Sequence, residues 1–357
     1  MVMSGVRWPV ISASPSSARR ESKGGALRGP LTAPPSPVAV LHWYHAYGRR
    51  LASELPLPEL RVASAGDPFW TFRAGSEAER FPPPDEGLLG QQTIYSGCHA
   101  RLYRKPDGWR IVVDDTGIFD LDDSGRTLTW HPFPGSTPDF GRAHLLGRVL
   151  ATSMHFNGAL MLHGSAVSFP AGAAAFLAPK HTGKSTLALA LTLAGAGLIS
   201  DDTIAVALPE TASPEVWPGV HSLRLYGDSV TQLAGGVGAE RRNDGKFLVA
   251  DLPENRLEQR VRPLVAVYLL AAARSIASGA AVDRRIVHPP LAAAAMVGQG
   301  KISEMLGAGE APVLLRRAAR LASRVPVYQL AVHRDLDRLP EVCEQLAAWH
   351  NSAPILS

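Results

Sequence analysis

The sequence predicts an α/β fold for the second half of the chain, preceded by a small β-rich domain. Two observations support this prediction. A glycine-containing loop at 178–186 joins an apolar run to a helix-forming run, and residues 40–133 consist of short strand-like runs separated by turn signals. The first pattern is typical of α/β proteins and the second of β-rich ones. The length of 357 residues also fits two domains.

The chain divides into three predicted parts. Residues 1–38 are rich in Ser, Pro, Gly and Arg, a composition that favours a disordered tail over a transit peptide. The β-rich domain is predicted over 39–136. Thr137, followed by a proline and an acidic residue, has the features of a helix start, and the α/β domain is predicted over 137–357.

The loop at 178–186 has a strand signal before it and a helix signal after it. Residues 173–178 form a short apolar run typical of a buried strand, and a second such run covers 162–169. Residues 184–194 contain neither glycine nor proline and are rich in alanine and leucine, the strongest helix formers. The N-terminus of such a helix directs unpaired backbone N–H groups towards the loop, which favours a bound anion.

The loop matches the nucleotide-binding pattern Gly-x-x-x-x-Gly-Lys-Ser/Thr at every position except the first, where Ala178 stands. In this pattern Gly183 permits the turn, Lys184 reaches the β- and γ-phosphates, and Ser185 offers a hydroxyl to magnesium. Alanine costs little at the first position if its φ is negative. The alternative is a turn that binds nothing. The predicted nucleotide-binding residues are Ala178, Pro179, Lys180, His181, Thr182, Gly183, Lys184, Ser185 and Thr186.

Two adjacent carboxylates, Asp201 and Asp202, end the next apolar run. Neighbouring aspartates repel each other unless a cation is near, and a magnesium ion held by phosphates would supply one. In such sites one aspartate binds magnesium and another carboxylate acts as base towards an attacking hydroxyl. A solvated turn is the alternative. His163, at the start of the strand expected to pair with the loop's strand, is either structural or a neighbour of the aspartates.

These three pieces together resemble the C-terminal catalytic domain of HPr kinase/phosphorylase. That family carries His-Gly before its phosphate loop and Asp-Asp shortly after it, which are here His163-Gly164 and Asp201-Asp202. The resemblance covers residues 150–335, about half of the chain. It is strongest with HPr-kinase-related proteins found beside peptide-modification genes, some of which resemble kinases that phosphorylate the tail serine of lasso peptides.

The resemblance implies a P-loop domain of the HPr-kinase/PEP-carboxykinase type that uses ATP and Mg²⁺. It implies that Lys184 holds the phosphates, that Ser185 and Asp202 bind magnesium, and that His163 orients or neutralises the aspartates. Asp201 and Asp202 would share the roles of base and metal ligand, in an order left open. The implied reaction is phosphoryl transfer to a serine of a protein or of a peptide encoded nearby, and the resemblance also implies a homo-oligomer.

The chain departs from true HPr kinases downstream of the loop. Their signature Glu-x-Arg-Gly-x-Gly-Ile, which controls the reverse reaction, is reduced here to Leu-Arg-Leu-Tyr-Gly at 223–227. HPr itself and the reverse reaction are therefore not implied. Two further functions stay open: a kinase of a small-molecule alcohol, and an NTP-binding regulator with slow or no turnover.

Composition excludes several other classes. The net charge is +4, but basic and acidic residues are mixed along the chain, which argues against nucleic-acid binding. Cys98 and Cys343 are too few and too far apart for a disulfide framework or a metal site, and they predict reduced thiols in the cytoplasm. The sequence has no apolar stretch of membrane-spanning length, so no membrane segment is predicted.

Overall fold

The described part of the chain contains two nine-stranded β-sheets and a three-stranded sheet, which are flanked by helices. The computed structural model describes residues 40–80, 86–233, 238–241, 247–249, 252–271, 280–333 and 335–351. The tail predicted at 1–38 lies outside these residues. The mixed α/β class expected from the sequence is confirmed by the two large sheets and their helices.

The first sheet contains nearly all of the segment in which turn signals separate strand-like runs. Its spatial order is β3-β1-β2-β4-β9-β8-β7-β6-β5, so the edge strand β5 lies far from β1. The strands are β1 (His42–Ala46), β2 (Arg49–Ser53), β3 (Arg61–Val62), β4 (Trp70–Ala74), β5 (Leu88–Tyr95), β6 (Cys98–Lys105), β7 (Gly108–Val113), β8 (Gly117–Asp122) and β9 (Thr127–Pro132). A predicted turn, Lys105 to Gly108, closes the β6–β7 hairpin.

A helical segment connects the two large sheets. It consists of α1 (Pro138–His144), a π-helical stretch (Leu145–Val149) and α2 (Leu150–Phe156). The segment begins after Thr137 with a proline in its first turn, as predicted. π-Helical turns are rare and often mark functional positions, because the extra residue in the turn redirects the side chains around it.

The second sheet is mixed, with β12 and β21 parallel to β19 and with β11 antiparallel to β12. Its strands are β10 (Leu160–Leu162), β11 (Gly164–Phe169), β12 (Gly172–Leu177), β13 (Gly197–Ser200), β14 (Ile204–Ala207), β15 (Glu215–Trp217), β19 (Arg262–Ala271), β20 (Val282–Ile286) and β21 (Val327–Val332). The small sheet contains β16 (Leu223–Leu225), β17 (Ala239–Arg241) and β18 (Phe247–Val249). The remaining helices are α3 (Lys184–Leu193), α4 (Gly227–Leu233), α5 (Pro289–Gly298), α6 (Ser303–Ala322) and α7 (Leu339–His350).

One hydrophobic core reaches across both large sheets. Trp70 and Phe72 of the first sheet belong to the same buried cluster as Leu177 and Val267 of the second. Val149, from the π-helical stretch, lies in that cluster as well. Residues from Val40 onwards form one compact unit, and the boundary predicted between residues 136 and 137 stays a prediction. None of the described helices is long and apolar enough to cross a membrane.

The strand pairing brings three separate sequence motifs to one edge of the second sheet. Because β11 runs antiparallel to both β12 and β13, the start of β11 lies beside the ends of its two neighbours. The end of β12 leads into loop 178–186, the end of β13 leads into Asp201, and His163 directly precedes β11. His163 interrupts what the sequence predicted as one strand over 162–169, which the structure divides into β10 and β11.

Candidate functional site

Loop 178–186 passes from β12 into α3 with its middle residues exposed. Gly183 precedes the helix with a φ of 91°, in the left-handed region that favours glycine, and no neighbouring atom limits the space beside it. Ala178 is buried and is not among the residues with positive φ. The departure from the nucleotide-binding pattern therefore introduces no backbone strain at this position.

Replacing Ala178 with glycine is expected to leave the Kd for ATP within about twofold, because alanine already fits the backbone. The free energy of unfolding should fall by about 0.5–1 kcal/mol, since glycine gains freedom in the unfolded chain. Titration calorimetry with ATP and urea unfolding measure the two effects. Gly183→Ala is the matched control and should weaken ATP binding, and a tenfold gain in affinity in Ala178→Gly would contradict the expectation.

The Lys184 side chain folds back over the loop. Its Nζ donates hydrogen bonds to the carbonyl oxygens of Ala178, at 2.8 Å, and Pro179, at 3.0 Å. The Thr182 hydroxyl donates to the same Pro179 oxygen at 2.8 Å. The ammonium group thus lies against the loop backbone at the N-terminus of α3, where the first N–H groups of a helix lack helical acceptors. This combination of donors and positive charge suits phosphate oxygens.

Asp201 is buried between two serine hydroxyls. Its Oδ1 accepts hydrogen bonds from Ser165 at 2.5 Å and from Ser185 at 3.0 Å, and its Oδ2 lies 3.4 Å from the Arg224 backbone nitrogen. Burial raises the pKa of Asp201, an effect that the Ser165 and Ser185 hydrogen bonds only partly oppose. The structure therefore brings Ser185 to Asp201, whereas the resemblance paired Ser185 with Asp202 for magnesium.

Asp202 has different surroundings from its neighbour. Its side chain is 45% exposed, and it forms an ion pair with the buried Lys301. Burial alone would raise the pKa of Asp202, but the charge of Lys301 and its hydrogen bond hold it well below the usual range. Asp202 also has a φ of 66°, in the left-handed region that residues other than glycine rarely adopt.

His163 lies beside Asp202, one of the two arrangements that the sequence left open. Its Nδ1 is 3.0 Å from the Asp202 carbonyl oxygen and 3.4 Å from Oδ1 of the same residue. Burial and, to a smaller extent, the nearby charge of Lys301 lower the pKa of His163 to about 4. The imidazole is therefore neutral at physiological pH and can donate from Nδ1 to Asp202, which fixes its tautomer.

The sequence did not identify three partners of the predicted residues. Ser165 follows His163 by two positions, and its signal is a hydroxyl in an otherwise buried strand. Lys301 arrives from far along the chain because a bridge between Leu162 and Gly300 brings it beside His163. Tyr226, in the reduced signature, places its hydroxyl 2.5 Å from Nδ1 of the loop residue His181.

Backbone strain is concentrated around these side chains. Among the described residues other than glycine, only Tyr47, His181 and Asp202 have positive φ. Tyr47 is buried in the first sheet, and burial, together with the charge of Asp202, raises its pKa. Non-glycine residues held in this conformation cost on the order of 1–3 kcal/mol and tend to occur at functional sites. Two of the three are predicted site residues.

The oxygen donors fit magnesium. The described residues contain no group of three or more His, Cys, Asp and Glu side chains that could hold a metal ion. Magnesium in phosphoryl-transfer sites instead uses one or two protein oxygens together with phosphate oxygens. The Ser185 hydroxyl and the Asp201 carboxylate form such a pair at the N-terminus of α3.

Two surface cavities lie away from this site. One is lined by aromatic side chains and Arg284 on the side of β19 and α7, and the other lies beside β20 and the end of α6. Neither is lined by a residue of loop 178–186 or by either aspartate. The candidate site is therefore defined by its side-chain chemistry, because the loop is exposed rather than enclosed.

Comparisons with known proteins leave the family open. No family model matches the chain, and no curated protein matches it. A solved structure, the Hpr(Ser) kinase/phosphatase from Coxiella burnetii, aligns with 53% of this chain and 89% of its own at 12% identity and a TM-score of 0.30. A similarity at this level does not establish a shared family, so the functional assignment depends on the geometry of the site.

Proposed function

We propose that the protein is a magnesium-dependent kinase that transfers the γ-phosphoryl group of ATP to a serine hydroxyl of a protein or peptide. The observation that carries this proposal is the division between the two aspartates. Asp201 is buried against Ser185 at the start of α3, while Asp202 is half-exposed and paired with Lys301. Asp201 would thus act at the nucleotide, and Asp202 would act at the acceptor.

ATP would bind through loop 178–186. The N–H groups at the start of α3 and the Lys184 ammonium would contact its phosphates, in the way that such loops bind nucleotides. Ser185 and Asp201 would hold Mg²⁺, which replaces the pairing of Ser185 with Asp202 implied by the resemblance. When bound, the ion neutralises phosphate charge.

Asp202 would orient the acceptor hydroxyl and receive its proton. The hydroxyl oxygen forms a bond to the γ-phosphorus while the bond between that phosphorus and the bridging oxygen of ADP breaks. The low pKa of Asp202 makes it a weak base, which suits a reaction in which positioning contributes more than early proton removal. Lys301 and His163 would hold the carboxylate in place.

The decisive experiment is transfer of label from γ-labelled ATP, with Mg²⁺, to the peptides encoded beside the gene. Label is expected on serine, and Lys184→Ala should reduce the rate by at least about 10²-fold, because it removes a cation at the transferring phosphate. Lys105→Ala, in the β6–β7 turn of the first sheet, is the matched control and should retain full activity.

The same assay separates the alternatives. Transfer only to small hydroxyl compounds would replace the peptide acceptor by a small-molecule alcohol. Tight ATP binding without transfer to any acceptor would favour an NTP-binding regulator. Ala178 supported that regulator in the sequence, but its backbone conformation gives no physical reason for slow turnover.

A further inference from the structure

One cation near Asp202 has no counter-ion among the described residues. Arg148, in the π-helical stretch, is half-buried, and its guanidinium contacts only neutral groups. Nε donates to Oε1 of Gln92 at 3.0 Å, and Nη1 lies 3.5 Å from Nδ1 of His144. No described carboxylate comes within ion-pair distance of it, although a partly buried arginine normally acquires an anionic partner.

His144 does not supply negative charge and is itself neutral. Burial and, to a smaller extent, the charge of Arg148 lower its pKa to about 4. An unprotonated Nδ1 can therefore accept the hydrogen bond from the guanidinium. Burial also lowers the pKa of Arg148, but a guanidinium remains charged throughout the physiological range.

Gln92 joins this guanidinium to the acceptor side of the site. While its Oε1 accepts from Arg148, its Nε2 lies 3.4 Å from the carbonyl oxygen of Lys301. Lys301 in turn pairs with Asp202, so a short chain of contacts leads from Arg148 to the proposed base.

The first sheet contacts both Arg148 and the loop at 178–186. Gln92 lies on β5, and the carbonyl oxygen of Ile94 on the same strand is 3.5 Å from Nζ of Lys180 in the loop. The charges of Asp202 and of Glu304, at the start of α6, both act on Arg148, but neither carboxylate forms an ion pair with it among the described residues. The guanidinium is therefore influenced by negative charge nearby but has no carboxylate in direct contact with it.

We propose that Arg148, oriented by Gln92 and His144, binds a carboxylate of the acceptor, so that the acceptor carries a carboxylate close to the hydroxyl that is phosphorylated. The inference that the bound molecule is the acceptor rests on the proposed function, whereas the anion site itself does not. The planar fork of an arginine matches a carboxylate in two parallel hydrogen bonds. In a peptide the carboxylate would be the C-terminus or an acidic side chain near the serine, and in a small molecule it would belong to a hydroxy acid.

Binding of matched fragments tests the site without requiring transfer. N-acetyl-L-serine and its neutral counterpart N-acetyl-L-serinamide are added at equal ionic strength, with Mg²⁺ and a non-hydrolysable ATP analogue present to fill the phosphate site. The carboxylate compound should raise the Tm by about 2 °C at tens of millimolar, and the amide should not. Equal shifts from the two compounds, or no shift from either, would overturn the proposal.

Two arginine variants test whether Arg148 causes the carboxylate-dependent shift in Tm. Arg148→Gln should lose the carboxylate-dependent shift, whereas Arg316→Gln, which removes an exposed charge from the distant part of α6, should keep it. A tenfold loss of ATP affinity in Arg148→Gln with the fragment shift intact would assign Arg148 to the nucleotide and overturn the proposal. If Arg148→Gln does not fold, Arg148→Lys replaces it and should retain only a reduced shift.

Sets of acceptors compared in the transfer assay distinguish the possible sources of the carboxylate. Serine peptides ending in a free carboxylate, peptides with an internal Asp or the isosteric Asn beside serine, and serine-derived hydroxy acids are compared by kcat/KM. Carboxylate-dependent binding without transfer to any acceptor would remove the proposed kinase function and leave the anion site standing. Transfer without a preference for acceptors that carry a carboxylate would remove the proposed anion site and leave the kinase function standing.

Discussion

Asp202→Asn is expected to reduce phosphoryl transfer by about 10²–10⁴-fold, the usual range for loss of a positioned base. An amide still fits beside Lys301 and His163, but it cannot accept the proton of the acceptor hydroxyl. The Kd for ATP should change by less than about threefold, because Asp201 rather than Asp202 contacts Ser185 at the start of α3, where the phosphates are proposed to bind. Single-turnover transfer and ATP titration measure the two quantities.

Two further variants test the different roles proposed for Asp201 and Asp202. Asp201→Asn should weaken magnesium-dependent ATP binding, since it removes the carboxylate beside Ser185. Asp123→Asn, an exposed residue with a side chain that is 61% accessible, is the matched control for loss of one carboxylate. Loss of ATP binding in Asp202→Asn with unchanged binding in Asp201→Asn would reverse the roles proposed for the two residues.

Mild acid is expected to destabilise the protein steeply. Burial lowers the pKa of four histidines to about 4 from an ordinary value of 6.5, namely His144, His155, His163 and His350. Between these values the unfolded chain binds protons that the folded chain excludes, so their full contribution to stability is present above pH 6.5 and is lost as the pH falls towards 4. Each histidine should remove up to about 1.4 kcal/mol per pH unit in that window.

Urea unfolding at pH 7, 6 and 5 measures this loss. The slope of the unfolding free energy against pH should correspond to about four protons taken up on unfolding. Glutamine in place of His350, which accepts the Tyr268 hydroxyl at 2.7 Å, should reduce the slope by about one proton. A free energy of unfolding that stays constant from pH 7 to 5 would show that these imidazoles are protonated in the folded protein.

Local patterns predicted where the loop, the helix after it and the two aspartates lie in the fold. The turn at Gly183, the helix after it and the carboxylates after β13 each depend on a few neighbouring residues, and the structure places all of them at one sheet edge. The expected pairing of the strand after His163 with the strand before the loop is confirmed, and it places His163 beside Asp202, which the sequence had left open. Their catalytic roles remain proposals, because geometry alone does not measure transfer.

The acceptor side could not be predicted, because its contacts join distant parts of the chain. Lys301 is 99 positions from Asp202, and Gln92 is 56 positions from Arg148. Nothing in the residues around either cation indicates its partner. The choice between the aspartates also depended on which of them contacts Ser185, and a pair of identical side chains does not reveal this.

The core shared by the two large sheets limits how this protein can diverge. Trp70 and Leu177 belong to one buried cluster, so removing the first sheet would expose the interior of the second. A relative with a different acceptor could not arise by exchanging the β-rich half as a module. We expect acceptor preference to change through point substitutions on β5 and the helical connection, with the nucleotide loop unaltered.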